Sequence, residues 1–223
     1  MSDLVEHPVR FARAGDLRKL AGIQQAADPM YAAHLGEDRM IDALRFPAPT
    51  GAQRQAVPGF LLVAGSAVAG FAHVIVLDGS AHLEQVSVRP EQMRRGIGGA
   101  LVRATMRQAE VQGFEAMSLC TYRDVPWNAP FYAAFGFVEV TDLLPFQRRL
   151  REVEQDLGLD AAGTRVVMSV PLAPTRPRPR PVVVETVPVN PFAVLPIEPG
   201  PDDQPGRDPA HGDPLADPGV TRE

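Results

Sequence analysis

The chain has 223 residues, of which 45% are hydrophobic and 22% charged, with a formal net charge of −5. These are the proportions of a soluble globular protein, and the charge gives no overall attraction to nucleic acid or to an anionic membrane, so neither is expected as a partner. A single cysteine, Cys120, excludes an intrachain disulfide and any multi-cysteine metal site, and no metal is expected.

The first residues, MSDLVEHPVRFARAGD, contain no apolar core of signal-peptide length, and no apolar run approaches the roughly 20 residues of a membrane span, so a cytoplasmic location is expected. Composition divides the chain near Pro171. Fourteen of the 23 prolines fall from that position onward. Proline removes backbone donors and biases its predecessor away from helix. The expected organisation is therefore one folded domain over residues 1–171, followed by a Pro-rich tail, 172–223, that is disordered or polyproline-like.

Taken in order, Val9–Arg13 alternates as a strand and leads to Asp16, an expected helix N-cap. The helix runs to about Ala27, with Leu17, Leu20 and Ile23 or Gln24 on one face, and Pro29 is expected to stop it. A second, acidic helix is expected over Tyr31–Leu44, then a loop from Pro47 to Gly59. Phe60–Ala64 and Val68–Leu77 read as an antiparallel hairpin about Gly65-Ser66. Asp78-Gly79-Ser80 turns the chain into a third strand, Ala81–Val88. A helix follows over about Gly98–Gln112, with Leu101, Val102, Met106 and Ala109 inward and Gly113 at its C-terminal stop. Then come a short buried strand at Ala116–Thr121, a helix at Pro126–Phe135, a strand at Gly136–Val140, a helix at Leu143–Leu157 and a last strand at Thr164–Val170. The fold class is α/β: a mixed, mostly antiparallel sheet of about seven strands with helices on both faces.

The stretch Gln85–Val102 joins a strand to a helix through a turn rich in Arg and Gly, QVSVRPEQMRRGIGGALV. The N–H groups that open a helix lack intrahelical acceptors and lie at the positive end of its dipole. Glycines let a polyanion approach them, and Arg94 and Arg95 add formal charge, so the turn reads as a phosphate cradle. A Walker loop is rejected, because Gly98-Gly99-Ala100 stands where Lys-Ser/Thr is needed. A dinucleotide fingerprint is weak, because seven residues separate Val88 from Gly96.

The run V-x-V-x-P, five residues, then G-x-G-G-A-L-V, with Asn128-Ala129-Pro130-Phe131-Tyr132-Ala133-Ala134-Phe135-Gly136-Phe137 about 30 residues later, resembles the GCN5-related N-acetyltransferases. The resemblance implies the acyl-CoA N-acyltransferase fold and acetyl-CoA as acyl donor. Its pyrophosphate site falls on Met93, Arg94, Arg95, Gly96, Ile97, Gly98, Gly99 and Ala100. Met93 departs from the family's usual Gln/Arg, which removes at most one side-chain contact where backbone N–H groups do most of the holding. Val86, Ser87 and Val88 correspond to the strand whose bulge splays it from its neighbour around Met117–Thr121, opening a slot for the pantetheine arm. Asn128 and Phe131 would line that arm. Tyr132 matches the family's frequent general acid, and Glu84 the place where several members carry a general base. Taken alone, Glu84 also reads as an ordinary strand-surface carboxylate, and Tyr132 as a core tyrosine. Cys120 reads as a buried structural thiol, and Trp127 either floors the acceptor site or packs.

The function this implies is transfer of an acetyl group to a primary amine, small-molecule or peptide, by direct attack in a ternary complex. The alternative is a catalytically weak CoA-binding domain acting through its Pro-rich tail. Asp28, Tyr31, His34, Glu37, Asp38 and Asp42 lie where the family shapes its acceptor pocket. The Leu143–Leu157 helix covers that pocket or supports a homodimer.

Overall fold

The protein is described by a computed structural model covering residues 8–35 and 47–175. The tail beyond Thr175, and the acidic residues Glu37, Asp38 and Asp42 of the expected second helix, lie outside the described residues.

Seven strands form one sheet: β1 (Val9–Phe11), β2 (Gly59–Ala64), β3 (Gly70–Leu77), β4 (Ser80–Val88), β5 (Ala116–Tyr122), β6 (Val138–Glu139) and β7 (Arg165–Pro171). Their spatial order is β1-β2-β3-β4-β5-β7-β6. All neighbours are antiparallel except β4 and β5, which are parallel and pair only at Ala81–Met117 and His82–Ser118. From Leu83 onward β4 has no strand partner on that side among the described residues, and the two strands part. On its other edge β4 slips against β3, where His73 pairs with Gln85 but Val74 pairs with Leu83. Glu84 is thus the extra residue of a β-bulge, which bends the strand locally.

Alternation sends one set of side chains to each face. Phe60, Leu62, Ala72, Val74, Leu83 and Val88 pack with Leu101 and Val102 of α4 (Ile97–Val111). Leu61, Val63 and Phe71 pack on the opposite face with Leu20 and Ile23 of α1 (Ala14–Ala27). At about 25 cal/mol per Å² of apolar area, each fully buried Leu, Ile or Phe contributes roughly 1.5–3 kcal/mol to holding these layers together.

Several local expectations are corrected. Asp16 is not the N-cap of α1 but its third residue, where its carboxylate accepts the Arg13 N–H at 2.8 Å and pairs with Arg10 at 2.6 Å. Helix α1 ends at Ala27, before Pro29 as expected, but α2 (Pro29–Leu35) starts at Pro29 itself and not at Tyr31, a first position where a missing N–H costs nothing. The expected loop Pro47–Gly59 contains α3 (Gly51–Ala56). Thr50 Oγ1 accepts the Gln53 N–H at 3.2 Å, and Gln53 Oε1 accepts the Thr50 N–H at 2.8 Å, a reciprocal capping box. Gly51 is pressed against α1, where an added Cβ would sit 2.4 Å from the Leu17 carbonyl oxygen. The helix expected over Pro126–Phe135 is shorter, α5 (Ala129–Ala133), and α6 spans Pro145–Asp156.

Candidate active site

Where β4 and β5 part, a cavity of about 1010 Å³ passes from the start of α4 to the face carrying α1, α2 and α6. At its first end lies the Arg-Gly turn. Arg94 and Gly96 take left-handed φ values of 57° and 84°, folding the turn back so that α4 opens at Ile97. The Ala100 N–H is bonded to the Gly96 carbonyl at 2.9 Å, and the N–H groups before it precede the first helical bond. Met93, Arg94, Arg95, Gly96, Gly98 and Gly99 line the cavity. Ile97 points its side chain into the core, and Ala100 stands behind the rim. The ring of Phe131 lies 3.5 Å from the place a Gly98 Cβ would occupy, so turn and ring stand close and a side chain larger than a methyl would press on the ring or project into the cavity.

Val86, Ser87 and Val88 form the β4 wall. The Arg89 N–H reaches the Ala69 carbonyl on the β3 side at 2.8 Å. Successive N–H groups of an extended strand alternate sides, so those of Val88 and Val86 face the edge from which β5 has departed. Backbone donors at that edge have no strand to satisfy them, which suits the amides and carbonyl of an extended ligand. Ser87 is buried and its Oγ accepts from Gln85 Nε2 at 2.8 Å.

The opposite wall comes from α5 and the turn before it. Asn128 is buried, and its Oδ1 accepts a hydrogen bond from Tyr31 OH at 3.2 Å, tying α2 to α5. Phe131 and Tyr132 both reach the cavity and pack edge-on at 5.1 Å between ring centroids. Burial pushes the Tyr132 phenol well above the ordinary range, so it stays protonated at any working pH. Cys120 lines the same cavity, and burial lifts its thiol to about 12. A thiol so raised is a poor nucleophile, in keeping with a structural cysteine.

On the far face, Glu84 is held from two sides. Its carboxylate lies 2.6 Å from Arg54 Nη1 and 2.9 Å from His73 Nδ1, and Arg54 also bonds Gln24 of α1. Arg54 and His73 are each 3% exposed. Burial alone raises a carboxylate pKa; the Arg54 charge and the His73 hydrogen bond outweigh it and leave Glu84 at about 2. At neutral pH it is ionised and only weakly basic. His82, two residues earlier, is neutral because burial lowers it to about 4, and its Nδ1 lies 3.0 Å from Ser118 Oγ. Trp127 lines the cavity against Tyr31, with centroids 6.0 Å apart.

Two clusters here escaped sequence reading. Arg54 stands one residue after a Thr-x-x-Gln capping box, the one signal that would have placed it on a helix. Glu154 is buried on α6 in line with Phe146 and Leu150, bonded by Arg151 and Arg165, and all but Phe146 and Arg151 line the cavity. An acid on the apolar stripe of a helix requires cations opposite, which the spacing 146, 150, 154 could have shown.

A family model described as Acetyltransferase (GNAT) family matches residues 20–137. The chain is similar to the PaiA N-acetyltransferase of Thermoplasma acidophilum, solved in complex with coenzyme A: 16% identity over 75% of this chain and 99% of that one, TM-score 0.51. It is similar also to a GCN5-related N-acetyltransferase from Rhodopseudomonas palustris, at 16% identity over 77% and 99% of the two chains, TM-score 0.53. An acetyltransferase of the GNAT family from Staphylococcus aureus is 14% identical over 75% and 99%, TM-score 0.52. At such identities the likeness is one of fold, and that fold is the acyl-CoA N-acyltransferase fold.

Proposed function

Because the chain belongs to the acetyltransferase (GNAT) family, we propose that it transfers the acetyl group of acetyl-CoA to a primary amine by direct attack in a ternary complex. The observation that carries this reading is the cavity that joins the Arg-Gly turn to the α1–α2 face through the gap between β4 and β5. Acetyl-CoA supplies an activated acyl group on a thiol leaving group. The opening of α4, with Arg94, Arg95, Gly96, Gly98 and Gly99, holds its phosphates by backbone donors and charge. Val86 and Val88 offer N–H groups to the pantetheine arm and to the carbonyl at which charge develops. Asn128 and Phe131 close the other wall.

Tyr132 donates the proton that the departing thiolate needs. A phenol so raised is a weak acid in water, but burial disfavours a charged thiolate in the same way. A thiolate formed there is correspondingly basic, and the transfer stays matched. Glu84 contributes position more than basicity: tied to Arg54 and His73, it fixes the bulge that opens the slot.

The test is release of free thiol from acetyl-CoA across a panel of primary amines, with coenzyme A binding measured by calorimetry. Amine-dependent release supports the reading. Coenzyme A binding with no turnover on any amine would refute it in favour of a non-catalytic binding domain.

A further inference from the structure

The proposed transfer requires a neutral amine, whereas an alkylamine with a pKa near 10.4 is almost wholly protonated at pH 7. Some group at the acceptor end must therefore bind an ammonium and relieve it of a proton. Four carboxylates line the cavity: Asp28, Glu84, Glu91 and Glu154. Glu84 is committed to Arg54 and His73, and Glu154 to Arg151 and Arg165. Glu91 stands at the phosphate end, exposed on the turn Pro90–Gln92. Asp28 alone of the four is at the acceptor end with no hydrogen bond or ion pair to its carboxylate among the described residues.

Its placement is built. Gln24, Asp28 and Tyr31 share one face of the α1–α2 junction at helical spacing, and all three line the cavity. Gln24 bonds Arg54, which holds Glu84 at the bulge, while Tyr31 OH bonds Asn128 at 3.2 Å, four residues before Tyr132. Asp28 is thus held between two anchors, one on each side of the slot. Among the described residues, the charged and titratable groups around it are Arg54 on α3, with Glu84 and His73 behind it, and Tyr31 on α2.

Resting on the N-acetyltransferase reading, we propose that Asp28 is the acceptor site's carboxylate: it binds the ammonium of a primary alkylamine and takes its first proton. That proton passes from Asp28 to solvent. As the C–N bond forms and the C–S bond breaks, Tyr132 protonates the thiolate and the nitrogen's second proton restores the phenol. Amide, thiol and one proton are the products. Burial raises the Asp28 carboxyl to about 6, against the opposing charge of Arg54, which leaves it ionised at pH 7 yet far more basic than Glu84.

The experiment compares wild type, Asp28→Asn and Asp28→Glu with hexylamine and with hydroxylamine, the latter already neutral at pH 7. Asp28→Asn is expected to keep its coenzyme A affinity and lose about 100-fold in kcat/KM on hexylamine. On hydroxylamine the loss should shrink below about tenfold, and Asp28→Glu should recover most of the hexylamine rate. The wild-type profile should rise through pH about 6, and that limb should vanish in Asp28→Asn. Equal losses on both acceptors, or none on hexylamine, would overturn the assignment while leaving acetyl transfer intact. A wild-type protein that binds coenzyme A yet acetylates no amine would overturn both.

Discussion

The Arg54 guanidinium lies 2.6 Å from the carboxylate of Glu84, the residue that β3 leaves without a partner. A helix hidden in an apparent loop thus supplies the cation that holds the bulge, two residues beyond the last β4–β5 pair at His82. Breaking a buried pair from one side strands the other charge, at a cost of roughly 3–5 kcal/mol. Arg54→Met is expected to lower unfolding free energy by about that amount in urea titrations, and Arg54→Met with Glu84→Gln by clearly less than the two separate losses combined. Because Glu84 is held at about 2, the pair's contribution is present above the ordinary carboxylate pKa and is lost as pH falls toward 2.

Tyr132→Phe removes only the phenolic oxygen from a ring packed against Phe131 and Phe137. Steady-state kinetics are expected to show kcat reduced about 100-fold with the KM for acetyl-CoA unchanged. An unchanged kcat would remove Tyr132 from the chemistry.

Gly98→Glu sets a side chain toward the Phe131 ring, 3.5 Å from the new Cβ, and brings a carboxylate to the site proposed for phosphates. Coenzyme A affinity measured by calorimetry should fall at least about tenfold, the equivalent of roughly 1.4 kcal/mol.

Asp28 carries a stability signature with a definite sign. Its folded-state pKa is raised, so the ionised carboxyl penalises the fold above about 6, and the penalty is absent below the ordinary value of 3.8. Asp28→Asn should therefore raise the melting temperature at pH 8 and not at pH 4. With solvent screening of a half-buried group, the gain is about 1 kcal/mol, or about 2–4 °C for a chain of this size.

The elements at the α4 end of the cavity were legible from sequence, because their signals are local. The turn from Met93 to Ala100 announces itself by glycines between a strand and a helix, and Asn128 to Phe137 by a compact run. What escaped reading depends on residues distant in the chain. Glu84 reads as a surface carboxylate until the fold brings Arg54 and His73 to it. Asp28 reads as one acid among several in an acidic stretch until the cavity separates it from the paired ones. The α3 stretch reads as loop from sequence because prolines stand on both sides of a Gly-containing segment, and the Thr50–Gln53 box is its one helix signal.

Direct transfer is the centre of this account, and single-turnover reaction with [1-13C]acetyl-CoA and hexylamine tests it. Label should appear on the amine nitrogen at the rate at which thiol is released, with the protein's mass unchanged throughout. Label accumulating on Cys120, or passing to free acetate in place of the amine, would contradict it.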